Sequence, residues 1–234
     1  MNFLESTNFF VRVTVYDYCH RLPEKRLKFR LIPMVHIGEP QFYDLAKEKI
    51  MECDELLYEG LRGGSNIQLF NSREVLGKQL GLVLQREALK INREEIKMTH
   101  ADYTAEEYQS EWEKVSWLEK VKERITRPVK RLHLARNITR FDLAKYFMTS
   151  YEEAHLAYRP SYDEPGTTEN FYYAGREQKV FQIIEERMAT ESNDDKLIGV
   201  LYGAGHMNRI SRNIIDRYGY HVCQGEFLKV FDVN

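Results

Sequence analysis

The chain has 234 residues, enough for one large domain, and its hydrophobic content of 43% and charged content of 30% are ordinary for a globular protein. Its 34 basic and 36 acidic residues give a net charge of −2, which excludes a general electrostatic attraction to nucleic acid or anionic membranes. No stretch approaches the roughly 18 consecutive apolar residues that a membrane span requires.

The N-terminal part of the chain alternates between strand and helix patterns. Phe9 to Tyr18 alternates apolar and polar residues as a strand does, and Leu27 to Val35 forms the first long apolar run. Pro40 then opens a helix, and the next apolar strand ends at Glu59. Residues 27–59 therefore predict a β–α–β unit with parallel strands.

The middle of the chain is mostly helical. Residues 72–90 predict a helix, and a short strand at 96–102 precedes a capping-box pattern at residues 104–107. Residues 104–157 predict a charged helical insertion that lies across the sheet, within a single domain of residues 1–234.

Further strand and helix patterns close the chain. A helix is predicted from about Ala174 to Ala189, a buried strand from Lys196 to Tyr202, and a last strand at about Phe227 to Val233. Apolar strands alternating with amphipathic helices predict an α/β fold, with a central, mostly parallel sheet flanked by helices.

Three of the predicted buried strands end on residues suited to chemistry. His36 and Glu59 each follow an apolar run, and His206 follows a third run after a glycine-rich turn. Because the carboxyl ends of parallel strands meet at one sheet edge, we expect two imidazoles and a carboxylate to lie close together there. Each also has a structural interpretation, which for the histidines is a turn or helix cap and for Glu59 is a salt bridge to Arg62.

Three further residues are candidates for the same site. Asp102, with His100 two positions before it, stands at a fourth predicted strand end. Arg176 lies on an apolar helix stripe, where a guanidinium needs a carboxylate, a phosphate or an oxyanion. Three roles for Arg176 stay open: clamping Glu59, holding a substrate carboxylate and stabilising developing negative charge.

The cysteines and the N-terminus predict the compartment. Cys19, Cys53 and Cys223 are odd in number, widely spaced and without a CxxC pair, as is typical of thiols in a reducing environment. Glu5 and Asn8 stand where a secretory signal would need an apolar core. We therefore predict a cytoplasmic protein.

Three segments resemble the TraB/PrgY family: Met34 to Pro40, Cys53 to Gly60 and Tyr202 to Met207. This family belongs with the Tiki metalloproteases in a wider group that includes ChaN-like and erythromycin-esterase-like proteins. Its pattern is a GxxH motif, a glutamate at the end of the next strand, an arginine at a later helix start and a second GxxH. At those positions this sequence carries, in order, His36, Glu59, Arg176 and His206. Pro33 stands where the family has glycine.

The resemblance implies a divalent-metal-dependent, peptidase-like hydrolase that acts on a peptide or small-molecule substrate. His36, Glu59 and His206 would hold Mn²⁺, Zn²⁺ or a similar ion, which polarises the scissile carbonyl and lowers the pKa of a bound water. Asp102 or His100 would complete the coordination or act as the base.

The same residues leave alternatives of other classes. Related folds bind haem iron or hydrolyse esters without metal, so the cleft is also consistent with an iron or small-ligand binding protein. A metal-free hydrolase would use His36 or His206 as general base. A charged helical adaptor with a vestigial cleft is the non-catalytic alternative. The sequence does not specify the oligomeric state.

Overall fold

The computed structural model describes residues 2–60, 76–124, 138–156, 163–190 and 195–234. The strands there are β1 (Leu4–Ser6), β2 (Phe10–His20), β3 (Leu27–Met34), β4 (Ile37–Gly38), β5 (Glu55–Tyr58), β6 (Val83–Leu84), β7 (Lys97–His100), β8 (Lys196–Gly203) and β9 (Tyr220–Asp232). The helices are α1 (Pro40–Met51), α2 (Gln85–Ala88), α3 (Ala105–Lys114), α4 (Arg140–Leu156), α5 (Gly175–Ala189) and α6 (Met207–Tyr218). A π-helical turn, Asn170–Ala174, leads into α5, and a 3-10 turn, Ala204–His206, leads into α6.

The main sheet has the strand order β1-β2-β3-β8-β5-β7, with β9 paired to β2 as well. Strands β3, β8, β5 and β7 are parallel to one another, whereas β1, β3 and β9 each pair with β2 in antiparallel fashion. The predicted α/β fold with a central, mostly parallel sheet and flanking helices is confirmed. None of the described helices is long and apolar enough to cross a lipid bilayer.

The strands of the predicted β–α–β unit are parallel, but they are not neighbours. Strand β8 lies between them, so that Val200 is in register with Leu31 of β3 on one side and with Leu57 of β5 on the other. This insertion places the carboxyl ends of β3, β8 and β5 side by side.

Both faces of the parallel strands are buried, which explains their continuous apolar sequence. One face packs Ile32, Leu56 and Leu201 in a cluster that also contains residues of α1. The opposite face packs Leu31, Leu57 and Val200 in a second cluster with residues of α5 and α6. The two layers of helices hold the sheet rigidly below its carboxyl edge.

The helix predicted over residues 72–90 is interrupted: among its described residues, 76–80 and 85–88 are helical and residues 81–84 are not. Gly81 adopts the left-handed conformation with φ 65°, which ends the helical stretch of residues 76–80. Strand β6 then pairs with β4, and Leu82 and Leu84 are buried in the core. The leucines that suggested a helical face therefore serve a turn and a short strand.

The described part of the predicted insertion at residues 104–157 is helical. Helix α3 begins with the predicted capping box, in which the Thr104 side chain accepts from the Glu107 N–H and the Glu107 side chain accepts from the Thr104 N–H. Helix α4 lies against β1, and Ser6 Oγ donates to the carbonyl oxygen of Ala144 at 2.7 Å. The single-domain organisation stays a prediction.

Two of the three cysteines are not thiols, contrary to the prediction. Cys19 of β2 and Cys223 of β9 form a disulfide between paired strands, with their Cα atoms 5.8 Å apart. Sequence spacing could not show this pairing, because the two strands are separated by almost the whole chain. Cys53 is a buried thiol, and burial raises its pKa to about 12. Disulfides are typical of oxidising compartments, so this bond does not support the predicted cytoplasmic location. That location stays a prediction.

A buried carboxylate also anchors the opposite, amino-terminal edge of the sheet. Glu55 opens β5 and accepts hydrogen bonds from the Arg187 guanidinium at 2.9–3.1 Å, from Thr99 Oγ1 at 2.6 Å and from Lys97 Nζ at 2.9 Å. Burial opposes ionisation of Glu55, but these hydrogen bonds outweigh it and lower its pKa to about 2.

Glu55 is expected to make the fold sensitive to acid. Its pKa in the folded chain lies below the ordinary value of 4.5, so its stabilisation is complete above that pH and is lost as the pH falls towards 2. The shift corresponds to about 3 kcal/mol of unfolding free energy. Urea denaturation between pH 4.5 and 2 should show a fall in the unfolding free energy of the wild type and a flatter dependence of that free energy on pH in Glu55→Gln. The exposed Asp195→Asn is the control, and parallel curves for wild type and Glu55→Gln would contradict the assignment.

Candidate active site

The carboxyl ends of the four parallel strands carry the predicted site residues, as expected. His36 follows β3, Glu59 follows β5, Asp102 follows β7 and His206 follows β8. The Glu59 N–H donates to the carbonyl oxygen of Leu201 at 3.0 Å, so the end of β5 stays bonded to β8 up to the candidate carboxylate.

Arg176, at the start of α5, joins two of these strand ends. Its Nε donates to Asp102 Oδ1 at 2.8 Å, and its Nη2 donates to Asp102 Oδ2 at 2.5 Å and to Glu59 Oε1 at 2.7 Å. The Arg176 side chain is 14% exposed and that of Asp102 is fully buried. Of the three roles left open for Arg176, this geometry corresponds to the first, in which the guanidinium clamps Glu59.

Asp102 and His100 are both engaged in the supporting structure. Asp102 accepts from the backbone N–H groups of Gly60 at 3.1 Å and Tyr103 at 2.7 Å, in addition to Arg176. His100 Nε2 is bonded to the carbonyl oxygen of Gly60, and its ring packs edge-on against Tyr58. These contacts fix Gly60, directly after Glu59. Arg62, the predicted salt-bridge partner of Glu59, lies outside the described residues.

Glu59 is held as an anion. Burial raises its pKa, but the charge of Arg176, with smaller effects of His206, the Gly203 N–H and His36, brings the pKa below its usual value. The Gly203 N–H donates to Glu59 Oε2 at 2.5 Å. One oxygen is thus bonded to a guanidinium and the other to a backbone amide.

His206 pairs with a carboxylate that the sequence analysis missed. Its Nδ1 lies 2.9 Å from Glu177 Oε1, and both side chains are buried, with that of Glu177 completely so. The ring lies between Tyr173 and Tyr202, with ring centroids at 5.0 and 5.2 Å. Among the described residues, His206 Nε2 has no hydrogen-bond partner.

A second arginine accompanies Glu177. Arg209 Nε lies 2.8 Å from Glu177 Oε2, an ion-pair contact without hydrogen-bond geometry. Two nitrogens of the same guanidinium donate to Asp163 Oδ1 at 2.9 and 3.0 Å. Arg209 thus places a positive charge beside one oxygen of Glu177, while the other oxygen faces His206 Nδ1.

The sequence does contain a signal for Glu177. Its position is three, four and seven residues before Val180, Phe181 and Ile184, and all four residues are buried on one face of α5. The stripe through Arg176 is one position away from this face. A carboxylate at the top of a buried helical stripe, next to a candidate site, needs a partner, and here that partner is His206.

Two glycines permit the close packing of the site. A Cβ atom at Gly203 would lie 3.2 Å from Glu59 Oε2 and 3.6 Å from His206 Cδ2, so the Glu59 carboxylate and the His206 ring approach the same point. A Cβ atom at Gly175 would overlap the Tyr103 hydroxyl at the turn that presents Arg176. A side chain at Gly175 would therefore displace the Tyr103 ring, whereas one at Gly203 would crowd the Glu59 carboxylate.

His36 is placed differently from His206. Its side chain is exposed, and it lines a cavity of about 330 Å³ together with Tyr58 and Leu201. Its charge contributes to lowering the pKa of Glu59, so the two groups lie within electrostatic range. Pro33 continues β3 and is in register with Tyr202 of β8. Met34, the last residue of β3, is in register with Gly203, and His36 follows two residues later.

A metal site requires several ligand side chains close together. Over the described ranges, no set of three or more His, Cys, Asp or Glu side chains lies close enough together to hold a metal ion. His36, Glu59 and His206 share one edge of the sheet without forming such a set. The ion predicted on these three residues stays a prediction, and no chemical step is assigned to it.

No protein-family model, curated protein or solved structure matches this chain. The resemblance to the TraB/PrgY family therefore stays a prediction that depends on three short segments. The assignment of a function depends on the geometry of the site itself.

Proposed function

We propose that the chain is a hydrolase of amide or ester bonds in which His206 is the general base. The observation that carries the proposal is the buried Glu177–His206 pair, which leaves Nε2 of the ring without a described partner at the carboxyl edge of the sheet. A carboxylate on Nδ1 fixes the tautomer in which Nε2 carries the lone pair. It also stabilises the positive charge that forms when the ring takes up a proton.

The reaction follows from these positions. Nε2 of His206 removes a proton from a water molecule as the water oxygen bonds to the scissile carbonyl carbon. The bond from that carbon to the leaving nitrogen or oxygen then breaks, and His206 returns the proton to the leaving group. The role of Glu177 is electrostatic: its carboxylate, with Arg209 beside it, stabilises the positive charge on the His206 ring.

Glu59 has the role of a fixed hydrogen-bond acceptor. Its lowered pKa keeps it ionised at neutral pH, so it does not serve as a proton donor. Because it approaches the same point as the His206 ring, it accepts a hydrogen bond from the attacking water or from a substrate N–H. Arg176 and Asp102 are positioning residues that hold this carboxylate in place.

Hydrolysis is expected to survive removal of divalent ions, because none of these steps uses one. The protein should be dialysed against EDTA and then assayed with a fluorogenic peptide library and a set of p-nitrophenyl esters. The wild type is expected to keep its activity, and His206→Gln, treated in the same way, is expected to be about 10²–10⁴-fold less active.

The contrary result would have a definite meaning. Loss of activity in EDTA with recovery on addition of Mn²⁺ or Zn²⁺ would contradict the proposal. It would instead support the metal centre predicted on His36, Glu59 and His206.

A further inference from the structure

The cavity beside His36 has features of a ligand site that the proposed reaction does not use. Its volume of about 330 Å³ is in the range of small-molecule pockets. Its lining includes several apolar side chains, among them Leu89, Met98 and Leu201, which suit an aliphatic group. The cavity borders the segment that leads to Glu59, because Tyr58 of its wall directly precedes Glu59, and His36 of its wall lies within electrostatic range of the Glu59 carboxylate.

The charged side chains that line the cavity are all positive. Arg86 and Arg93 both contribute to its lining, and the described lining contains no aspartate or glutamate. In the part of the chain that the structure describes, Arg93 has no carboxylate partner, and its one hydrogen bond is a 3.5 Å contact to the Tyr58 hydroxyl. Guanidinium groups beside an apolar cavity are complementary to a carboxylate on an aliphatic body.

We propose that this cavity binds an aliphatic carboxylate, with the hydrocarbon part against Leu89, Met98 and Leu201 and the carboxylate at Arg93 and Arg86. The inference rests on the proposed function in one respect, since it names the substrate class. The bond that His206 hydrolyses belongs to an amide or ester whose aliphatic portion carries a free carboxylate. An acylated amino acid or a peptide C-terminus has this chemistry, and so does a fatty acid derivative.

Calorimetric titration of the full chain tests the inference. N-acetyl-leucine and N-acetyl-leucinamide have the same aliphatic body and differ in the carboxylate, and octanoate represents the fatty acid source. We expect at least one of the two carboxylates to bind and the leucinamide to bind about tenfold more weakly or not at all, since a charge-assisted hydrogen bond contributes about 1.5–3 kcal/mol. The carboxylate that binds more tightly identifies the source.

Variants locate the binding. Arg93→Gln is expected to weaken carboxylate binding about tenfold, by the same reasoning, while Arg21→Gln, an exposed arginine before β3 at the opposite edge, leaves it unchanged. Binding of N-acetyl-leucinamide as tight as that of the tighter carboxylate, no saturable binding of either carboxylate, or a carboxylate affinity unchanged by Arg93→Gln would overturn the inference.

The His206→Gln variant separates this inference from the proposed function. It is expected to bind the carboxylate as the wild type does, because His206 does not belong to the cavity lining. Failure of carboxylate binding with hydrolysis that still depends on His206 would overturn the inference alone. Normal binding with hydrolysis that does not depend on His206 would overturn the proposed function alone.

Discussion

Replacing His206 with glutamine is expected to lower kcat by about 10²–10⁴-fold, because a positioned general base contributes a factor of this size. Glutamine keeps a polar side chain near Glu177 but cannot take up a proton. The measurement is steady-state hydrolysis of whichever peptide or ester the wild type cleaves, with thermal unfolding as the test of folding. Glu177→Gln should also lose activity, since the amide no longer stabilises the charged imidazole.

The control for this prediction is His221→Gln. His221 is an exposed histidine of β9 and belongs to no part of the site, so its replacement should leave kcat unchanged. A folded His206→Gln variant with wild-type kcat would contradict the assignment of His206 as the base.

The second large effect is expected from Arg176→Met. Removing this cation leaves the Glu59 and Asp102 carboxylates in a buried site without their partner, which costs about 3–5 kcal/mol of unfolding free energy. Without Arg176, the pKa of Glu59 rises, so the variant takes up a proton there as the pH falls. The deficit relative to the wild type should therefore be largest at neutral pH and shrink in acid, as urea denaturation can show.

Lys179→Met provides a matched control on the same helix. Lys179 pairs with Glu107 at 2.5 Å, but both side chains are about one-third exposed, and surface pairs contribute about 0–1 kcal/mol. Asp102→Asn in the Arg176→Met background should recover part of the lost stability. A deficit no larger than that of Lys179→Met, or one independent of pH, would contradict the clamp.

The sequence predicted the sheet and the strand ends well, because continuous apolar runs that end on polar residues are typical of buried parallel strands. It named Glu59 and Arg176, which the structure joins by a hydrogen bond, as candidates for the site, and their role there stays a prediction. It did not reveal that β8 separates β3 and β5, since strand order depends on tertiary packing. The insertion of β8 is what brings Gly203 within hydrogen-bond distance of Glu59.

Other features depend on contacts that no local pattern specifies. The helical stripe that passes through Arg176 misses Glu177 by one position, so the sequence pattern assigns Glu177 no role. The disulfide between Cys19 and Cys223 depends on the pairing of β2 with β9, which are separated by most of the chain. Gly81 interrupts a leucine-rich segment through a left-handed backbone conformation that composition does not show.

The most direct measurement determines the tautomer of His206 by ¹⁵N NMR of its imidazole nitrogens. The His206 signals are assigned by their absence from the spectrum of the His206→Gln variant. In the neutral ring, the proton is predicted on Nδ1, bonded to Glu177, with the lone pair on Nε2. Glu177→Gln is expected to weaken this preference. A neutral His206 that carries its proton on Nε2, with spectra unaffected by Glu177→Gln, would contradict the proposal that this pair is the general base.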